Sequence, residues 1–232
     1  MDSFHRQRPY FPPVEEAGPD GLLMTGGSLA PDWMLAAYCR GIFPMPIKVA
    51  RRRTIAWIAP DPRGILELER VHVSRRLARR LARREFQYSL DRAFREVVEA
   101  CAAPRPGDED DDVWLTVAMQ NAYLSLFDLG YAHSLEVWQD GRLVGGVFGV
   151  TIGGLFAGES MFHRATDASK VALVVLASHL RSRGFTLLDV QWTNPHTRSM
   201  GATDIPRSEY LARLAHAVAR KVTFRKPLSD FG

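Results

Sequence analysis

Residues 133–161 read HSLEVWQDGRLVGGVFGVTIGGLFAGESM. Two turn signals divide this stretch. Asp140-Gly141 is a strong two-residue hairpin signal, and Gly153-Gly154 suits a second hairpin. The segments between them, 133–139, 142–152 and 155–161, are expected to be three successive strands. A helix over 167–183 follows and stops at Gly184. A strand over 186–191 and a last helix over 207–220 complete this half. Hairpin strands followed by a helix and another strand specify an α+β class built on a mixed sheet.

The upstream half has a different texture. A helix over 31–40 is expected to end at Gly41. Ile42-Phe43-Pro44-Met45-Pro46 cannot be helical, because two prolines fall in three residues. Short strands are expected at 54–58 and 64–68, then a helix (74–84), a strand (86–90) and a helix (91–101). Residues 104–112, PRPGDEDDD, read as a solvated, mobile acidic loop rather than a metal site. An amphipathic helix over 116–129 leads into the strands. The expected organisation is a flexible segment (1–20), a small N-terminal domain with a basic helix (21–105) and a larger catalytic domain (106–232).

Composition narrows the class. The 232 residues are 46% hydrophobic and 24% charged, with a net charge of +4, which is ordinary for a globular chain able to bury a sizeable core. Cys39 and Cys101 are too few for a disulfide framework. No stretch approaches the ~18 apolar residues of a membrane helix, and MDSFHRQRPYFPP at the start lacks the apolar core of a signal peptide. A cytoplasmic location is expected. The seven histidines show no metal-ligand spacing, and there is no phosphate loop or nucleophile elbow.

Two patterns carry chemistry. Arg75, Arg76, Arg79, Arg80, Arg83 and Arg84 fall in ten residues and cover about 180° of a helix at 100° per residue. Leu77, Ala78, Leu81 and Ala82 fall opposite. The run is single-signed, which points to a polyanion, and arginine forks suit phosphate. The apolar half has no Trp or Phe anchor for a membrane. The second pattern is Leu187-Leu188-Asp189-Val190-Gln191-Trp192. Alternation puts Asp189 and Gln191 on one strand face, where both need hydrogen-bond partners if buried. Glu159 and Ser160 mark another polar strand end. Phe156 and Glu159 can line one pocket only if a bulge or kink lies near Gly158.

An ordered set of blocks then resembles one family. The blocks are Phe11-Pro12-Pro13; Gly26-Gly27-Ser28-Leu29; Gly41-Ile42-Phe43-Pro44; Pro60-Asp61-Pro62-Arg63; His133 to Trp138; Gly158-Glu159-Ser160-Met161-Phe162; Ser169-Lys170; and Asp189-Val190-Gln191 with Asn194, His196 and Gly201. Over about residues 11–215 the chain is similar to the leucyl/phenylalanyl-tRNA–protein transferases. The resemblance implies transfer of Leu or Phe, less often Met, from charged tRNA to the N-terminal Arg or Lys of proteins, marking them for degradation. It implies a GCN5-type acetyltransferase-like domain after a smaller α/β domain and no metal or organic cofactor; a monomer that uses no membrane is expected.

It also implies roles. Gln191 is the central catalytic residue, with its amide held and polarised by Asp189. Asn194 and Glu159 position acceptor and ester. Phe156, Ser160 and Leu176 belong to the substrate pocket, and Trp57 and Trp114 stack on the terminal adenine or close that pocket. The six arginines grip tRNA phosphates. Three positions depart from the usual pattern: Met45, Ile58 and Leu176, each where an aromatic is common. Two rival readings fit the residues less well. An acetyl-CoA enzyme needs a glycine-rich turn, and 162–168 contains no glycine. A pure RNA-binding module gains nothing from the carboxylates at Asp189 and Glu159.

Overall fold

The computed structural model describes residues 8–50, 52–104 and 114–225. The expectations for residues 1–7 and for the acidic run 105–112 lie outside them. In chain order the elements are β1 (Leu22–Thr25), α1 (Pro31–Tyr38), β2 (Phe43–Val49), β3 (Arg52–Ile58), β4 (Arg63–Ile65), α2 (Arg75–Ala82), β5 (Gln87–Leu90), α3 (Phe94–Ala102) and α4 (Val117–Asp128). They continue as β6 (Ala132–Gln139), β7 (Arg142–Ile152), β8 (Leu155–His163), α5 (Ala168–Ser182), β9 (Leu187–Gln191), α6 (Pro195–Ser199), β10 (Thr203–Ile205) and α7 (Arg207–Val218).

The α+β expectation is met by two sheets with flanking helices. The larger has seven strands in the order β10-β4-β9-β8-β7-β6-β5. Its β8–β9 pair is parallel, and α5 is the crossover between those two strands. All its other pairs are antiparallel. The smaller sheet is antiparallel, in the order β1-β3-β2. Residues 63–65 and 87–90, from the stretch expected in the smaller domain, are strands of the larger sheet.

Both faces of the larger sheet are covered, so β6 and β7 are buried almost end to end rather than alternating. Leu135, Val137, Val147 and Phe156 pack with Val171, Leu173, Val175 and Leu176 of α5. Phe148, Val150 and Ala157 pack on the opposite side with α3, α4 and the aromatic residues of the N-terminal region. Phe11, expected in a loosely ordered segment, is buried edge-on against Trp33 and Trp57. An aromatic side chain contributes more by burial there than the segment's prolines and charges oppose.

Several elements were not legible. The two prolines of β2 are tolerated because that strand lies at a sheet edge. The strands β1 and β10 and the five-residue α6 are too short for periodicity to show. Helix α3 begins at Phe94 rather than 91, because Asp91 adopts a left-handed φ of 58° and its side chain accepts from the Ser134 backbone N–H.

The bulge required near Gly158 is present. Gly149 pairs with Gly158 and Phe148 with Ser160, so Glu159 is the extra residue on β8. Gly149 makes the bulge possible. A Cβ there would lie 2.2 Å from the Ala157 carbonyl oxygen and 2.4 Å from the Phe156 ring. Gly149→Ala is therefore expected to lower stability by about 2–3 kcal/mol, as overpacked positions do. Urea denaturation with an unchanged m-value is the check, and an unaltered midpoint would count against this close approach.

Candidate active site

The sheet opens where β8 and β9 part. Their parallel pairing runs from Leu155↔Leu187 to Ala157↔Asp189 and stops there, while β8 continues to His163. The bulge turns β8 away, and Gln191, at φ 62°, turns β9 away. A cleft of about 260 Å³ occupies the gap. Its polar wall is Glu159, Ser160, Gln191 and Asn194, and its apolar wall includes Met45, Trp114, Met161, Leu176, Val190 and Trp192.

Asp189 anchors the construction. It is fully buried, and Arg63 grips it with two parallel hydrogen bonds, Nε to Oδ1 at 2.9 Å and Nη2 to Oδ2 at 2.6 Å. Tyr210 Oη donates to Oδ2 at 2.7 Å. Arg63 Nη1 donates to the Gly41 carbonyl, and the guanidinium lies over the Phe43 and Tyr210 rings. Such a fork–fork pair, with its remaining donors satisfied, is the form in which buried charges are tolerated. Burial pushes the Tyr210 hydroxyl well up, Arg63 opposes the rise and Asp189 adds to it, so it stays a donor.

Asp189 does not hold the Gln191 amide, as the resemblance implied. Its Oδ1 accepts from the Gln191 backbone N–H at 2.8 Å. That bond helps to hold a non-glycine residue in the left-handed region, where strain of about 1–3 kcal/mol needs fixed surroundings. Simple alternation fails at this residue for the same reason. The Gln191 side chain instead donates from Nε2 to Glu159 Oε1 at 3.1 Å.

Glu159 also accepts from Tyr38 Oη at 2.8 Å and Tyr123 Oη at 2.6 Å. Burial raises its pKa, the three hydrogen bonds oppose the rise, and Asp189 adds to it; the balance stands at about 7. Both tyrosine hydroxyls are held well above their ordinary range, chiefly by burial. With Nε2 committed to a carboxylate, Gln191 presents its amide oxygen as an acceptor. Asn194 is exposed, and its Oδ1 caps α6 by accepting from the Thr197 N–H.

The cleft thus gathers Glu159, Ser160, Gln191, Asn194, Trp114 and Leu176, while Asp189 lies beneath it. Two expected members are elsewhere. Trp57 is fully buried and donates to the Gly26 carbonyl, so its faces cannot meet a base. Phe156 is fully buried in the core packed against α5, with its ring near Phe224, and does not line the cleft. Met45 and Leu176, two of the three departures, line the cleft; Ile58 does not. Arg63, Tyr38, Tyr123 and Tyr210 escaped notice, because each meets its partner only through the fold. Their one signal was position, since Tyr38 and Arg63 lie beside or within quoted blocks.

The arginine helix is less open than its sequence implies. Asp167 pairs with Arg76 and Arg80, and Glu85 with Arg80 and Arg83. Arg75, Arg79 and Arg84 are exposed. Among the described residues no three His, Cys, Asp or Glu side chains converge as a metal site, and no helix is long and apolar enough to cross a membrane.

A family model described as leucyl/phenylalanyl-tRNA protein transferase matches residues 65–215, and a model of that family's N-terminal domain matches residues 27–61. The chain belongs to the leucyl/phenylalanyl-tRNA–protein transferase family. A transferase of that name from Aromatoleum aromaticum is 50% identical over 90% of this chain and 87% of its own. One from Thiobacillus denitrificans is 52% identical over 90% of each chain. Among solved structures, a GCN5-related N-acetyltransferase-like protein from Streptococcus suis aligns at 13% identity and TM-score 0.31, over 75% of this chain and 65% of that one.

For this family member Glu159 predicts a pH dependence of stability. Its folded pKa is raised from 4.5 to about 7. Between those values the folded state keeps a proton that the unfolded chain has released, so stability falls as pH rises through the interval. Glu159→Gln is expected to flatten that part of the profile. Denaturation midpoints at pH 5 and 7.5 would test this, and parallel profiles for the two proteins would exclude a raised Glu159.

Proposed function

We propose that the cleft transfers leucine or phenylalanine from the 3′ end of a charged tRNA to the α-amine of an acceptor protein with N-terminal Arg or Lys. One observation carries the reading: a glutamine fixed in the left-handed region beside a carboxylate of raised pKa, at the gap between two parallel strands, in a chain of this family. The attacking nitrogen forms a bond to the ester carbonyl carbon, the carbon–oxygen bond to the ribose breaks, and one proton passes from nitrogen to the ribose oxygen. The α-ammonium group, of pKa ~8, needs only mild help to lose its proton.

In this reading Gln191 Oε1 accepts a hydrogen bond from the attacking amine, and Glu159 orients the amide through Nε2. The carboxylate also draws the cationic acceptor. Tyr38 and Tyr123 position Glu159. Arg63, Tyr210 and Asp189 position the Gln191 backbone. Asn194 and Ser160 contact acceptor or ester at the rim, and Trp114 closes the pocket or stacks on the terminal base. The transferred side chain rests on Met161, Leu176 and Val190, and Met45 and Leu176 set the preference among Leu, Phe and Met. Because the ester is already activated, holding the reactants together accounts for much of the acceleration. The exposed arginines of the run that form no ion pair among the described residues, Arg75, Arg79 and Arg84, contact tRNA phosphates without reading sequence. A charged tRNA as donor favours the cytoplasm, and the product is a protein marked for degradation. No cofactor enters this scheme.

Radiolabelled Leu-tRNA with an Arg-initiated peptide, beside a Gly-initiated one, tests the reading. Label is expected on the Arg peptide alone, and absence from both would overturn it. Gln191→Ala should lower kcat by about 100-fold, as loss of one fixed polar group does, with tRNA affinity retained; equal loss of both would refute the role. Charge reversal of Arg75 and Arg79 should flatten the salt dependence of tRNA binding by a log–log slope of about 2. An unchanged slope would place the phosphate contact elsewhere.

A further inference from the structure

The mouth of the cleft holds a side chain to which the transfer scheme gives no task. Trp192 lines the cleft directly after Gln191, yet it is 42% exposed. Along a regular strand successive side chains point to opposite faces. The left-handed backbone at Gln191 ends that alternation, and Val190, Gln191 and Trp192 all line the same cleft. The Trp192 ring meets the buried Phe43 ring at 88°, with centroids 5.0 Å apart. Edge-to-face packing of this kind is a favoured aromatic geometry, so the indole is held in place while part of it stays open to solvent.

The charge around the cleft is equally informative. An acceptor with N-terminal Arg or Lys brings a second cation besides its α-amine. Among the described residues that line the cleft, Glu159 is the one ionisable side chain. Its Oε1 accepts from Tyr38 and Gln191 and its Oε2 from Tyr123, so it serves the amide and the attacking amine. Asp204, beside the rim, accepts from the Thr193 hydroxyl and pairs with Arg198. The described lining therefore offers the acceptor's side chain no further carboxylate. An aromatic face is the other group that holds a guanidinium or an ammonium, and the indole of tryptophan does so best.

Position selects Trp192 for that role. In the reading above the attacking nitrogen rests on Gln191 Oε1, and the acceptor's first side chain leaves the carbon bonded to that nitrogen. The Cα atoms of consecutive residues are about 3.8 Å apart, which puts the Trp192 ring within reach of an extended Arg or Lys side chain. The leucyl group lies inward, on Met161, Leu176 and Val190. The acceptor is the end of a longer chain and must leave through the open mouth, past Trp192. Trp114, the other tryptophan of the lining, is taken by the donor.

We infer that Trp192 is a specificity residue for the acceptor, its indole face binding the cationic end of the N-terminal Arg or Lys side chain. The inference rests on the reading of the cleft as an aminoacyl-transfer site for basic acceptors.

The test uses Trp192→Leu and Trp192→Phe, each checked for folding by its thermal midpoint. Peptides identical except for a first residue of Arg, Lys or citrulline are compared, since citrulline keeps the shape of arginine without its charge. The Arg and Lys peptides are followed by transfer from Leu-tRNA, and the citrulline peptide by its inhibition constant against the Arg peptide. For Trp192→Leu the KM of the Arg and Lys peptides should rise roughly fivefold, while the citrulline constant moves less than about twofold. The KM for Leu-tRNA should stay as it was. Trp192→Phe keeps an aromatic face and should raise the KM of the Arg peptide by only about twofold. Equal weakening of the Arg and citrulline peptides would overturn the inference, because a ring that merely packs the rim does not read charge. So would unchanged peptide constants, and so would a rise in the KM for Leu-tRNA alone, which would give the ring to the donor's terminal base. Absence of transfer by the unmodified protein would instead refute the aminoacyl-transfer reading on which the inference rests.

Discussion

The ion pair between Arg63 and Asp189 lies beneath the cleft, closed off from solvent on both sides, and four parts of the fold converge on it. Arg63 belongs to β4, Asp189 to β9, Tyr210 to α7, and the Gly41 carbonyl to the turn after α1. Isolated buried charges are costly, and a pair is tolerated only when geometry and the remaining hydrogen bonds are satisfied. Here every one of those bonds comes from a different element. The pair is thus a condition that β4, β9, α7 and the small N-terminal unit must meet together, and meeting it leaves one oxygen of Asp189 to hold the backbone of Gln191.

The cleft is where regular sheet geometry is given up. Glu159 is a bulged residue, Gln191 has a left-handed backbone, and β8 and β9 stop pairing between them. Each departure costs something alone, and together they aim two polar side chains at one another in a gap lined with apolar groups. Local rules are commonly broken at functional sites and compensated by their surroundings. The compensation here is traceable: Gly149 admits the bulge, Asp189 holds Gln191, and two buried tyrosines satisfy Glu159. The opposition of burial and hydrogen bonds at Glu159 leaves a carboxyl that exchanges its proton near neutrality.

Most elements that were long and bounded by glycine turns could be read from the chain. The hairpins at Asp140-Gly141 and Gly153-Gly154 and the helix ending at Gly184 carry their signals locally. The polar members of the cleft were also visible, because Asp189, Gln191 and Glu159 interrupt apolar strands. The aromatic assignments fared differently. Trp57 and Phe156 were placed by ring chemistry, which does not say which way a ring faces; both serve the core. Trp114 and Leu176 do reach the cleft. The arginine run is single-signed in sequence, yet Asp167, some 90 residues on, pairs with Arg76 and Arg80.

The sequence by itself determined the α+β class, the strand and helix succession of the C-terminal half, the family, and the residue types available for chemistry. Those follow from turn residues, hydrophobic periodicity and motif order, all of which act over a few neighbouring positions. The tertiary structure alone decided which polar groups meet. Arg63 finds Asp189 across 126 positions and Tyr38 finds Glu159 across 121. Such contacts arise from sheet order, the bulge at Glu159 and the parting of β8 from β9, and no local pattern encodes them.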